Sequence, residues 1–254
     1  IRKIEYTANN GLLVNGQRIQ LKGVNQHHDL GAIGAAFNTS AARRQLVKLQ
    51  EMGCNAIRMS HNPPAPELLQ LTDEMGFLVI DEIFDSWERK KTALDFHLIF
   101  KDWSEPDLRA FIRRDRNCPS VIMWSIGNEV GEQYTDTAGA LVAKRLHDIA
   151  KQEDPSRPTT TAMNFAKPHM PLPAVVDAIG LNYQGEGIRQ SPEFEGTDRI
   201  RTAPQYNLYH QKFPDKMIYA SETASAFSSR GVYYFPVSKE NSSPVRDNRG
   251  GNSK

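Results

Sequence analysis

The sequence predicts an α/β fold on the plan of a (β/α)8 barrel, with seven strand–helix units legible and the last unit lacking. Three observations predict it. Short apolar runs alternate in order with amphipathic stretches, which is the pattern of parallel strands crossed over by helices. Some of those runs stop abruptly in polar or acidic residues, as at Gly127-Asn128-Glu129, which puts functional groups at C-terminal strand mouths. The alternative, an open doubly wound sheet, wants a Gly-rich phosphate loop, and Gly31-Ala32-Ile33-Gly34 has neither its spacing nor its position.

Taken in order, residues 1–20 predict a β-hairpin: strands at 2–7, 12–14 and 19–21, with the turn at Asn15-Gly16. This hairpin either trails from a preceding β-domain or plugs the barrel floor. The barrel domain follows over 21–235. Its first strand, 21–25, ends in Gln26-His27-His28-Asp29. Thr39 or Ser40 caps a helix to Met52 that Gly53 stops. Strand two is 55–60, a helix covers 66–75 before Gly76, and strand three is 77–81. An excursion at 84–104 carries Trp87 and Trp103 and has the length of an active-site loop.

A helix over 105–117 has Pro106 in its first turn. Strand four is 121–126. The helix at 135–152 presents Leu141, Val142, Leu146 and Ile149 on one face. Strands five and six are 158–162 and 176–182. A helix at 200–212 turns Leu208 and Phe213 inward, and strand seven is 217–221. Residues 236–254, rich in Ser, Asn, Gly and charge, predict a polar loop or disordered tail. No apolar run follows Phe235 to supply an eighth strand.

The 254 residues suffice for one large core, and the net charge of +1 carries no basic stripe. Nucleic acid and acidic membrane surfaces are therefore not expected partners. No apolar run has the length of a membrane span. The start, Ile1-Arg2-Lys3-Ile4-Glu5, lacks an initiator Met and a signal h-region, so an excised piece is expected. Cys54 and Cys118 predict buried free thiols, and no Cys/His cluster suggests a metal.

Two carboxylates stand out. Glu129 closes the run Trp124-Ser125-Ile126-Gly127-Asn128, and Glu222 closes Met217-Ile218-Tyr219-Ala220-Ser221. Cleaving a glycosidic bond requires one protonated carboxyl to serve the leaving oxygen and one ionised carboxylate to attack or steer water. Repulsion between nearby carboxylates raises one of the two pKa values, which divides the roles. Glu129, with the Asn128 amide beside it, suits the acid/base, and Glu222 the nucleophile. Each alone reads more readily as an ordinary loop carboxylate or a helix N-terminal charge than as a catalyst, and it is the pair on strands four and seven that favours the catalytic reading. The His27-His28-Asp29 run suits sugar hydroxyls or a metal, although adjacent strand-end side chains point to opposite faces and rarely share one ion.

The stretch NAIRMSHNP at 55–63 resembles the first signature of glycoside hydrolase family 2, and DRNCPSVIMWSIGNE at 115–129 resembles its acid/base signature. Asp81-Glu82 and Ser221-Glu222 fit the same pattern, and the resemblance runs from about Leu12 to Phe235. It implies a TIM barrel preceded by β-sandwich domains, and a retaining exo-β-glycosidase with glycosides or oligosaccharides as substrate. Glu129 is then the acid/base and Glu222 the nucleophile, with Arg58 beneath Glu222. His61 and Asn128 match substrate-contacting positions, and Tyr183 matches a tyrosine that hydrogen-bonds the nucleophile. His27, His28 and Asp29 fall where the family contacts sugar hydroxyls. Trp87 and Trp103 serve either as sugar platforms or as rim packing.

Among the family's β-galactosidases, β-glucuronidases and β-mannosidases, residues 221–233 resemble the first most, so terminal β-D-galactosides are the expected substrate. Glucuronidases hold the sugar acid with an Asn-x-Lys. Asn252-Ser253-Lys254 has the letters but follows the nucleophile too closely. The family's magnesium-dependent members carry a His after the third-strand acidic pair, where this chain has Trp87. No metal and no cofactor is expected. A barrel short of one strand leaves edges unpaired. A sugar-binding piece without turnover is therefore the alternative. The resemblance leaves the oligomeric state open, and periplasmic or secreted destinations fit carbohydrate scavenging.

Overall fold

The computed structural model describes residues 2–184, 195–196 and 203–223. It opens with three short antiparallel strands, β1 (Ile4–Thr7), β2 (Gly11–Val14) and β3 (Gln17–Ile19). Asn15 and Gly16, at φ 52° and 78°, form the two-residue turn that brings Val14 opposite Gln17. The expected hairpin is thus a three-stranded meander, its third strand lying two residues before the predicted 19–21.

Seven parallel strands follow in unbroken spatial order: β4 (Gly23–His27), β5 (Ala56–Ser60), β6 (Leu78–Glu82), β7 (Val121–Asn128), β8 (Thr159–Met163), β9 (Ala178–Asn182) and β10 (Ile218–Glu222). Each pairs with its neighbour in sequence, which is the barrel order and not that of a doubly wound sheet. Curvature follows from one contact. Flat, β5 and β10 would lie roughly 24 Å apart at about 4.8 Å per strand. Yet Arg58 on β5 reaches Glu222 on β10 at 2.8 Å. Asn25 on β4 likewise donates to the Ser221 carbonyl on β10 at 3.0 Å, joining the two edges of the sheet through a side chain.

Helices cover the outer face: α1 (Thr39–Glu51), α2 (Pro66–Met75), α3 (Phe100–Asp115), α4 (Thr137–Glu153), the single turn α5 (Leu172–Val175) and α6 (Tyr206–Lys212). Several differ from expectation. The N-cap of α1 is Asn38, whose Oδ1 accepts from Ala41 N at 3.0 Å, rather than Thr39 or Ser40. Helix α3 begins five residues before 105 and carries Pro106 internally. On α4, Leu146 and Ile149 are buried but Leu141 faces solvent. On α6 the buried residue is Tyr209, and Leu208 is exposed. The expected start at 200 and the tail at 236–254 lie outside the described residues. Cys54 and Cys118 are free, but each is half-buried rather than enclosed.

Two apolar cores flank the sheet. The larger joins its outer face to the helices through residues such as Leu46, Leu69, Val79, Trp124 and Ile179. The smaller fills the barrel floor with Leu78, Ile80, Ile122, Met123 and Met217. Leu12 of the meander is buried in that floor, flanked by Ile4, Tyr6 and Val14, and Tyr6 Oη donates to the Ile122 carbonyl. The bottom of the barrel is closed with side chains, so chemistry is left to the strand mouths at the top.

Candidate active site

Arg58 is the hub of the site. It projects inward from the middle of β5, opposite Asn25 of β4 in the strand register, and is 4% exposed. Its Nε and Nη2 both donate to one oxygen, Glu82 Oε2, at 3.0 and 2.6 Å. Nη1 donates to Asn25 Oδ1 at 3.0 Å and to Glu222 Oε1 at 2.8 Å, and Nη2 also reaches Asn128 Oδ1 at 2.9 Å. Burial opposes the guanidinium charge, but Glu82 and Glu222 outweigh it and raise the Arg58 pKa further.

Glu82 ends β6 and is fully buried. Its Oε2 accepts from Arg58 and from Ser125 Oγ at 2.6 Å, and its Oε1 accepts from His61 Nδ1 at 2.7 Å. Burial alone would raise its pKa; Arg58, His61 and Ser125 reverse that and leave it lowered. Because a carboxylate only accepts, the His61 proton sits on Nδ1. That turns Nε2 toward Glu222 Oε1, 3.9 Å away.

Glu129 has a different setting. Its backbone takes φ 43°, a left-handed conformation that costs a non-glycine residue on the order of 1 kcal/mol and concentrates at functional sites. Its N–H donates to the Ala162 carbonyl at 2.8 Å, which anchors the end of β7 to β8. Its Oε1 accepts from Asn182 Nδ2 at 2.9 Å. Burial raises its pKa, the Asn182 hydrogen bond offsets part of that, and the neighbouring Glu222 adds to the rise. Asn182 also accepts from Ser221 Oγ at 2.6 Å, so one amide links the ends of β7, β9 and β10.

The structure thus assembles Glu129, Glu222, Arg58, His61 and Asn128 into one hydrogen-bonded cluster. His27 joins it, with its ring edge-to-face on His61 at 5.1 Å, and burial and His61 lower its pKa. Tyr183, also at positive φ, donates its backbone N–H to the Glu222 carbonyl at 2.8 Å. His28 and Asp29 serve the loop after β4: His28 Nε2 meets the Ala35 carbonyl at 2.9 Å, and Asp29 Oδ1 accepts from Gly31 N at 2.7 Å.

Trp87 is fully buried rather than a sugar platform. Its indole N–H donates to the Ile126 carbonyl at 2.7 Å, and its ring lies where a Cβ on Gly127 would sit 2.8 Å away. The motif glycine is there because Trp87 packs on it. Trp103, on α3, is 53% exposed. Among the described residues, no group of three or more His, Cys, Asp or Glu side chains is arranged to hold a metal. A cavity of about 430 Å³ flanks the cluster, sharing His61 and Asp85 with it but lined by neither catalytic candidate.

Sequence reasoning missed Asn25, Ser125, Asn182 and Asp85 as members of this cluster. Strand register could have found the first three. Asn25 lies opposite Arg58, Ser125 opposite Glu82, and Asn182 opposite Glu222.

A curled parallel sheet with a closed floor and paired glutamates at its open mouth defines a TIM-barrel domain of the glycoside-hydrolase class. The family model "Glycosyl hydrolases family 2, TIM barrel domain" matches residues 6–190, and the chain belongs to that family. It is 41% identical over 268 residues to "Beta-galactosidase BoGH2A" of Bacteroides ovatus, covering 93% of this chain and 29% of that protein. To "Beta-glucuronidase" of Sus scrofa it is 32% identical, covering 85% of this chain and 33% of the relative. Among solved structures, a glycosyl hydrolase family 2 member from Bacteroides cellulosilyticus superposes with a TM-score of 0.76 at 36% identity, over 88% of this chain and 27% of that one. The chain therefore spans about a third or less of the length of these relatives.

Proposed function

We propose that this chain carries the catalytic centre of a retaining exo-β-glycosidase acting on terminal β-D-galactosides. Glu222 attacks the anomeric carbon while Glu129 protonates the leaving oxygen. Glu129 then removes a proton from the water that releases the sugar from Glu222. Arg58 engages Glu222 Oε1, which leaves Oε2 as the attacking atom. His61, Asn128 and His27 line the position of the sugar, with Tyr183 at the end of β9 beside the nucleophile.

The observation that carries this reading is the unequal setting of the two glutamates. Glu222 is ion-paired to a buried guanidinium, whereas Glu129 is desolvated and accepts its hydrogen bond from the neutral amide of Asn182. That inequality suits a permanent nucleophile and a carboxyl that must both give and take a proton. The galactoside preference is supported by the 41% identity to a protein named as a β-galactosidase. A β-glucuronidase is the second reading, favoured by relatives of that name at 30–32% identity. The Asn252-Ser253-Lys254 letters lie outside the described residues.

Chromogenic β-galactoside, β-glucuronide and β-mannoside, offered to the chain and to Glu222→Gln, test both readings. The expected result is cleavage of the galactoside fastest and a variant at background. An intact chain no faster than the variant on all three substrates leaves a sugar-binding piece without turnover. A preference for the glucuronide replaces the substrate and keeps the roles.

A further inference from the structure

Tyr134 and Phe165 stand at the strand mouths and have no part in the chemistry described so far. Tyr134 ends a short turn, Gly131–Tyr134, that begins two residues past Glu129. Phe165 lies two residues past the end of β8. Their ring centroids are 4.3 Å apart, with planes 34° from parallel, yet they remain 54% and 42% exposed. Among the described residues, one other Phe, Tyr or Trp ring is comparably exposed, that of Trp103 on α3. Lys167 Nζ is 5.9 Å from the centre of the Phe165 ring, within cation–π range.

The middle of the turn points inward and fixes it. Glu132 and Gln133 are both buried. Glu132 Oε1 accepts from Arg89 N at 2.7 Å. Gln133 Nε2 donates to Asn164 Oδ1 at 2.6 Å, and its Oε1 accepts from Phe165 N and Ala166 N at 3.0 and 3.1 Å. One buried amide therefore ties the loop after β7 to the loop after β8 and sets the two rings together. From below, Gly139 of α4 approaches so closely that a Cβ there would lie 2.2 Å from the Glu132 carbonyl oxygen. Rings held by such a frame lose little freedom when a ligand covers them.

The geometry points to Tyr134 and Phe165 as a stacking platform for the leaving-group sugar of an oligosaccharide substrate. The inference rests on the reading of Glu129 as acid/base. That residue serves the leaving oxygen, so the departing group lies on its side of the mouth. The Glu129 N–H is bonded to the Ala162 carbonyl at 2.8 Å, and Phe165 follows Ala162 by three residues, at most about 11 Å of chain. The pair is therefore within a short oligosaccharide's reach of Glu129. The sheet order agrees. Strands β4, β5 and β10, which meet through Asn25, Arg58 and Glu222, carry the groups that line the terminal sugar. Strands β7 and β8 lie near the middle of the seven-strand order, across the mouth from that seam. A sugar ring offers an apolar C–H face to an aromatic surface and hydroxyls to a donor such as Lys167. An exposed apolar patch beside polar groups, at the rim of a site, suits such a ligand.

The test uses lactose, or a β-glucuronyl-glucose if the chromogenic comparison selects the glucuronide. Saturation-transfer NMR on Glu222→Gln, with the protein's aromatic protons irradiated, reads which sugar ring meets them. The glucose ring is expected to receive saturation, and to lose it when Tyr134→Ala or Phe165→Ala is added; Tyr134→Phe keeps it. With Glu222 intact, kcat/KM on lactose is compared with that on β-galactosyl fluoride, which has no leaving-group ring. The ratio of the two should fall about tenfold in either alanine variant. Unchanged saturation overturns the proposal, and so does an unchanged ratio. An equal loss on both substrates marks a structural role and overturns it too, as does a loss confined to an aryl galactoside, which marks an aromatic aglycone. Saturation that depends on the two rings, in a chain whose parent cleaves no glycoside, sinks the acid/base reading and leaves the platform standing. Turnover whose ratio ignores both substitutions does the reverse.

Discussion

Arg58 meets Glu222 at 2.8 Å with a charged donor, whereas Glu129 meets the neutral amide of Asn182 at 2.9 Å. The two halves of one site are therefore built on opposite electrostatic terms. On the Arg58 side, a guanidinium is enclosed by two carboxylates, and removing it would strand charge in a medium that solvates charge poorly. On the Glu129 side, burial acts with only partial relief, so the proton is retained to higher pH. The lesson is that two identical side chains at two strand mouths acquire different electrostatic settings from their neighbours, not from their own chemistry.

The largest way to break this contrast is at Glu129 itself. Glu129→Gln is expected to lower kcat/KM about a thousandfold on a glycoside whose leaving group needs a proton. On a dinitrophenyl glycoside, which leaves unprotonated, the first step should recover most of that loss. A burst of dinitrophenol followed by slow turnover would separate the acid duty from the base duty. Equal losses on both substrates would contradict the assignment.

Next comes the hub. Arg58→Met leaves Glu82 buried without its cation and is expected to cost about 3–5 kcal/mol of stability, read by denaturant unfolding. Adding Glu82→Gln to that variant should restore part of the loss. A cost under about 1 kcal/mol would mean that the Arg58 half is not the charged core described above.

The pH profile sharpens the other half. The proposed acid role requires protonated Glu129 for the first step, so on that assignment kcat/KM should fall as pH rises through its raised pKa. Asn182→Ala removes the hydrogen bond that favours the ionised form, and the basic limb should move to higher pH. The stability term follows the same sign. A carboxyl raised on folding contributes stability below its unfolded pKa, and loses it as pH rises through the folded value. A basic limb that stays in place or moves down would contradict the geometry.

How much of this was legible in the sequence depends on the distance between partners. Most of the seven barrel strands are visible as short apolar or β-branched runs, each with its own punctuation, although β4 (GVNQH) carries little of that signal. Glu129 and Glu222 were visible because each ends such a run. The motif's resemblance puts Arg58 beneath Glu222, yet its pairing with Glu82 and Asn25 is a matter of packing across strands, which no local pattern encodes. The rotational offset of helices was equally hidden. Leu141 satisfies the helical period but faces solvent, while Ala143 and Ala150 fill the contact. Trp87 reads equally as a sugar platform or as rim packing in the sequence, and its full burial against the Cβ-free Gly127 decides for packing.

The smallest expected effect checks the contrast from outside. Lys144 and Asp148 form an ion pair at 2.7 Å on the exposed face of α4, with side chains 62% and 46% exposed. Lys144→Met should change stability by no more than about 0.5 kcal/mol. A cost comparable to that of Arg58→Met would show that burial is not what separates the two classes of ion pair.

The central claim is that Glu222 is the nucleophile and Glu129 the acid/base, and trapping the covalent intermediate tests it most directly. Incubation with a 2-deoxy-2-fluoro-β-D-galactoside carrying an activated leaving group, followed by digestion and peptide mass spectrometry, should place the sugar on the peptide containing Ser221-Glu222. A label on Glu129, or turnover with inversion and no label at all, would contradict it.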